Sequence, residues 1–125
     1  MSDGGKDSQP TTRDEFNAVV EEVKLMAKCY IAGPMTGYPE LNYPKFAEVA
    51  VRLRAMGFEV VSPAELNPLT ETYANAMKKD IVALVDCDHI YLLDGWEKSK
   101  GATLEHHIAS VLGIPVIELN GDGPV

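Results

Sequence analysis

From Cys29 onward the chain alternates short apolar runs with longer stretches in which apolar residues recur every three or four positions. Cys29 to Ala32 predicts a buried strand, ended by Gly33-Pro34. Pro44 opens a helical pattern through Phe46, Val49, Ala50 and Leu53 that stops at Gly57, and Phe58 to Val61 is a second strand, broken at Pro63. Tyr73 to Val85 predicts the next helix, Ile90 to Leu93 a third strand, Gly101 to Leu112 a third helix closed by Gly113, and Ile114 to Leu119 a fourth strand. Strands that are apolar throughout are buried on both faces. Their alternation with helices therefore predicts an α/β fold with a small doubly wound parallel sheet of four to five strands, flanked by helices and joined by right-handed crossovers. No internal repeat or second domain is visible.

Two segments lie outside this alternation. Residues 1–12 carry no apolar side chain after the initiator and predict a disordered tail. Residues 13–27 hold Phe16, Val19, Val20, Val23 and Met26 at i, i+3, i+4, i+7 and i+10, the spacing of an amphipathic helix that would dock on the outside of the domain or on a partner subunit. The domain itself is expected over 28–120, with 121–125 as a C-terminal tail.

Composition narrows the function classes. A chain of 125 residues is one domain, large enough to bury a core without a disulfide or structural metal. Its 11 basic and 19 acidic side chains give a net charge of −8, which argues against a nucleic-acid polymer or an anionic membrane as partner, since both select for Lys and Arg. Cys29 and Cys87 stand 58 positions apart without a CxxC or a nearby His pair, the usage of reduced thiols in a cytoplasmic protein. Neither a signal peptide nor a run of transmembrane length is present, and no spacing calls for a metal or a cofactor.

In parallel sheets of this kind ligands bind beyond the carboxyl ends of the strands. The segment after strand one, Gly33 to Tyr43, is neither GxGxxG nor a P-loop; Gly33 and Gly37 either let backbone amides approach a ligand or serve only as a connector. On the third helix Glu105 falls in line with Ile108, Ala109 and Leu112, so a carboxylate interrupts the face turned to the sheet. Its place near the helix start favours the ionised form, suited to a nucleophile, or ties it structurally to helix-start amides. Asp80 likewise interrupts the stripe of Met77, Ile81 and Leu84, either as a protonated partner of Glu105 or as a partner of Lys78, Lys79 or a helix cap. Two carboxyl groups with separated pKa values are the equipment for cleaving a glycosidic bond. Ser99, between Lys98 and Lys100 and before Gly101, is a phosphate site or a helix N-cap. Trp96 is a wall for a nucleobase or a loop anchor. His106 and His107 diverge by about 100° on a helix and read as packing or surface residues.

The runs Tyr30-Ile-Ala-Gly-Pro-Met-Thr-Gly37, Asn42-Tyr-Pro-Lys-Phe46 and Leu92-Leu-Asp-Gly-Trp-Glu-Lys-Ser-Lys-Gly-Ala-Thr-Leu-Glu105, with Ala109 to Val116, resemble the nucleoside 2-deoxyribosyltransferase-like superfamily, closest to an uncharacterised branch common in phage and prophage genomes. The likeness covers Lys28 to Leu119 and implies a Rossmann or flavodoxin-like sheet. It implies that Glu105 is the nucleophile in a Gly-x-x-x-Glu segment from Gly101, that Asp80 protonates or holds the base, and that Tyr30 and Gly33 lie along the sugar and phosphate. Six positions before the nucleophile the transferases tend to carry Asp, whereas the related nucleoside monophosphate N-hydrolases carry a phosphate-binding Ser; here the residue is Ser99. Where those hydrolases place an Arg after the strand-one Gly, this chain has Pro34-Met35-Thr36. The expectation is a cytoplasmic N-glycosidic hydrolase of (deoxy)nucleoside 5'-monophosphates, with base exchange between nucleosides, or nucleotide binding without turnover, as alternatives. Lys98, Ser99, Lys100 and Gly101 would then meet phosphate and sugar; Pro34, Met35, Tyr43, Asp94 and Trp96 complete the binding set. Relatives are oligomers, so at least a homodimer is expected.

Overall fold

The structure, a computed structural model, describes residues 27–118. The expected tail, N-terminal amphipathic helix and C-terminal tail lie outside these residues. In chain order the elements are β1 (Lys28–Ala32), a 3-10 turn (Pro39–Asn42), α1 (Tyr43–Ala55), β2 (Glu59–Val61), α2 (Pro63–Leu66), α3 (Tyr73–Val85), β3 (His89–Leu92), a second 3-10 turn (Trp96–Lys98), α4 (Lys100–Leu112) and β4 (Val116–Ile117). The four strands form one parallel sheet in the order β2-β1-β3-β4. The expected α/β architecture is therefore present, with four strands.

Side-chain alternation along β1 builds a core on each face. Cys29 and Ile31 point one way, onto Phe46, Val49, Ala50 and Leu53 of α1; Tyr30 and Ala32 point the other way, toward Leu84 of α3 and Ala102 and Ala109 of α4. Local chemistry sets the helix ends. Thr72 Oγ1 accepts from the Asn75 amide at the start of α3, and Ser99 Oγ accepts from the Ala102 amide at the start of α4. Gly113, at φ 76°, ends α4 in the left-handed conformation while the Ile114 amide turns back to the Ala109 carbonyl.

That closing bond shortens the last strand from the predicted Ile114 to Leu119. Ile114 is used to finish the helix and Pro115 has no N–H to give, so β4 comprises Val116 and Ile117, with Leu119 outside the described residues. The helix α2 was not anticipated. Four residues carry no period, although Ser62 caps it and Pro63 stands at its first turn.

The chain leaves β1 for β2 on one side and returns to β3 on the other. This reversal places a topological switch point between β1 and β3, at the end where Gly33 and Leu93 emerge. Close packing fixes the backbone there: a Cβ added to Gly33 would lie 2.6 Å from Leu93 Cβ.

Candidate active site

A cavity of about 820 Å³ opens at that end of the sheet. The loop after β1 contributes Gly33, Pro34 and Met35, and α1 contributes Tyr43. Asp80 enters from α3. The start of α4 and the turn before it bring Lys98, Ser99, Lys100, Gly101 and Glu105. Sequence separations of up to 72 positions, from Gly33 to Glu105, thus collapse into one concave site of the size that takes a small molecule.

Glu105 is only 4% exposed and Asp80 5%. Among the described residues Glu105 is met by a hydroxyl and by no cation: Tyr30, fully buried in the middle of β1, donates its O–H to Glu105 Oε2 at 2.7 Å. Loss of solvent dominates and pushes the Glu105 pKa up to about 8; the Tyr30 bond opposes this and the charge of Asp80 adds to it. Burial also holds the Tyr30 phenol well above its ordinary range, with Glu105 and Asp80 reinforcing the effect, so Tyr30 remains a donor.

The Asp80 carboxyl is raised as well, first by burial, against the pull of a hydrogen bond from Asn67 and the charge of Lys79. Asn67 Nδ2 donates to Asp80 Oδ1 at 2.9 Å and to the Pro63 carbonyl at 2.9 Å. Tyr43 in turn donates its hydroxyl to the Asn67 carbonyl at 2.9 Å. Lys79 hydrogen-bonds Glu71 at 2.7 Å, so its ammonium is committed elsewhere.

Two expectations change here. Glu105 is expected ionised and Asp80 protonated, whereas burial raises both carboxyls, Glu105 up to about 8. Glu105 is the sixth residue of α4, beyond the first turn where helix-start amides and the dipole act, so desolvation decides. Asp94 and Trp96 do not line the cavity. Asp94 is exposed, and the Trp96 ring packs on His106 at 4.5 Å between centroids, which makes it a loop anchor.

Ser99 lines the cavity with its oxygen already accepting the Ala102 amide, the capping use of that pattern; its proton remains available to a ligand. Lys98 and Lys100 enter no ion pair among the described residues, and Lys100 Nζ lies 6.0 Å from the Tyr73 ring centroid. The residue missed by sequence was Asn67. It sits in a Pro- and Asn-containing connector with no periodicity, and its partner Asp80 lies thirteen positions away.

The two thiols stand apart from this chemistry. Cys29 and Cys87 are free and buried, with pKa values pushed by desolvation up to about 12 and about 11, so neither is a ready nucleophile.

Comparisons with known proteins bear on this geometry. No curated protein matches the chain. Among solved structures, a 2-deoxyribosyltransferase from the psychrotolerant bacterium Bacillus psychrosaccharolyticus is similar with a TM-score of 0.57 at 23% identity, covering 72% of this chain and 69% of that one. A 2-deoxyribosyltransferase from Leishmania mexicana is similar with a TM-score of 0.58 at 21% identity, covering 73% of this chain and 62% of that one. At these identities the likeness shows the fold, and it is the fold that the motifs implied. Residues 27–118, most of the chain, match a family described as a domain of unknown function, DUF4406, and the chain belongs to that family.

Proposed function

We propose that the protein cleaves the N-glycosidic bond of a 2'-deoxynucleoside 5'-monophosphate through a covalent glycosyl-Glu105 intermediate. The observation that carries this reading is a buried carboxyl on α4, hydrogen-bonded by Tyr30, sharing a cavity with a second buried carboxyl on α3. Glu105 Oε attacks C1', the bond from C1' to the base nitrogen breaks, and its electron pair leaves with the base as Asp80 supplies a proton. The transition state resembles an oxocarbenium ion. Water then attacks C1', gives a proton to Asp80 and releases Glu105 as a carboxylate, so the sugar phosphate forms with net retention.

The reactive pair holds one proton between its two members. Burial keeps Glu105 protonated up to about pH 8, and the reaction needs the proton on Asp80. A base nitrogen bound against Asp80 supplies the acceptor that draws it there. Lys98, Lys100 and the Ser99 hydroxyl at the rim offer the 5'-phosphate its positive partners in an otherwise acidic protein, so binding weakens with added salt.

A second reading, base exchange between deoxynucleosides, is favoured by the solved structures that share the fold, both of them described as 2-deoxyribosyltransferases. One experiment separates the readings. The protein is incubated with deoxynucleoside monophosphates, ribonucleotides, nucleosides and NAD, with and without a second free base. Free base with sugar phosphate supports hydrolysis, and a new nucleoside appearing only with added base supports transfer. Undiminished base release by Glu105→Ala would sink both.

A further inference from the structure

We infer that Asn67 is the positioning residue for Asp80: its amide holds Oδ1 as a hydrogen-bond acceptor and thereby assigns the carboxyl proton to Oδ2. The inference rests on the proposed reaction and adds a residue that the family motifs do not include. Asn67 is 6% exposed and has one orientation consistent with its neighbours. Both groups facing Nδ2, the Pro63 carbonyl and Asp80 Oδ1, are acceptors at 2.9 Å. A flipped amide would turn Oδ1 onto two oxygens. The side chain therefore stays as it is even though its own Oδ1 is left without a hydrogen-bond partner, one of only two such buried side-chain atoms among the described residues. An unmade bond of that kind costs stability in a buried setting, so the arrangement sacrifices stability to hold a donor against Asp80.

The clamp is anchored at both ends. Tyr43 fixes the Asn67 carbonyl, and the Asn67 backbone amide donates to the same Pro63 carbonyl at 3.1 Å, so the residue is pinned by backbone as well as side chain. Asp80 Oδ2 takes no hydrogen bond among the described residues and is not one of the enclosed, unpartnered atoms. Oδ1 is occupied as an acceptor; Oδ2 is the oxygen left to carry a proton and give it up. The sequence connects Asn67 and Asp80 through the loop after α2, so a donor from one segment sets the acid on the next.

Asn67→Leu removes the donor while keeping the same branched heavy-atom skeleton, and Pro63 keeps its backbone partner, so the variant should fold, as circular dichroism checks. Loss of a bond that favours the carboxylate raises the Asp80 titration, followed by the carboxyl carbon in NMR, by about one pH unit. The acid limb of the kcat/KM profile moves up with it, and kcat falls roughly tenfold with KM nearly unchanged. If Asn67→Leu does not fold, the isosteric Asn67→Asp replaces the amide with a second acid and shifts the same limb in the same direction. An Asp80 titration that stays where it was in a folded variant overturns the inference. An inactive wild type sinks the proposed reaction, and with it the catalytic meaning of the clamp; an active wild type with an unmoved acid limb in the variant sinks the clamp alone.

Discussion

The two ends of the sheet treat the same chemical group in opposite ways. At the amino end, Asp86 and Asp88 lie in water beside the start of β1, where Lys28 Nζ donates to Asp86 at 2.7 Å and the Lys28 amide donates to Asp88 at 2.9 Å. The hydrogen bond and charge of Lys28 hold the Asp86 carboxyl below its ordinary range. At the carboxyl end, Asp80 and Glu105 are enclosed, their donors are a neutral amide and a neutral hydroxyl, and both are raised. Carboxylates at the first end are satisfied and inert; those at the second hold protons at pH values where an ordinary acid has lost them. Charge partners stabilise, whereas burial beside neutral donors makes an acid available for chemistry.

The largest break in this contrast comes from Glu105→Gln. Assayed for base release, this variant loses activity by about 10⁴-fold or more, the scale on which removal of a nucleophile acts. Its stability moves the other way. A carboxyl whose native pKa is about 8 against an ordinary 4.5 contributes fully below pH 4.5, and that contribution is lost as pH rises toward 8. At pH 7 the wild type therefore forgoes about 3 kcal/mol relative to the neutral amide, an upper figure that urea unfolding of the two proteins at pH 4 and pH 7 measures.

Asp80→Asn comes next. With a one-proton reactive pair, kcat/KM of the wild type is bell-shaped and falls on its alkaline side with an apparent pKa near 8. Removing the proton carrier lowers kcat by about 10²–10⁴-fold and reverses that limb, so that the residual rate rises with pH as Glu105 ionises. A variant profile that still falls above pH 8 would mean that Asp80 is not the acid. Tyr30→Phe is milder: it removes a bond that favours the Glu105 carboxylate, so the alkaline limb moves up by about one pH unit and the rate drops roughly tenfold. Asp86→Asn, at the other end, leaves both the rate and its pH profile as they were and the melting temperature within experimental error, because an exposed ion pair contributes little.

The sequence made the frame of this comparison readable. The helix over Tyr73 to Val85 coincides with its prediction because its period is strong and Thr72 caps it. Asp80 and Glu105 stood out because each breaks an apolar stripe, and buried acids are rare enough to notice. The order of their protonation did not stand out. Position on a helix suggests a dipole, but depth of burial is a property of the assembled cavity, and here depth outweighs the dipole by Glu105's second-turn position. Asn67 was illegible for a related reason, since a lone amide in a connector acquires meaning only when Asp80 is brought against it. Trp96 carried two readings of equal appearance in sequence, and only the ring of His106, one helix later, distinguishes them.

The close approach at Gly33 has an evolutionary consequence. With Leu93 carbon atoms 2.6 to 2.8 Å from any added Cβ, this stretch of the cavity wall is main chain and must remain so. A wall of peptide has no side chain for mutation to vary. Variation in the shape and charge of the cavity must therefore arise at its lining side chains, Met35, Tyr43, Lys98 and Lys100 among them, while the patch at Gly33 passes unchanged.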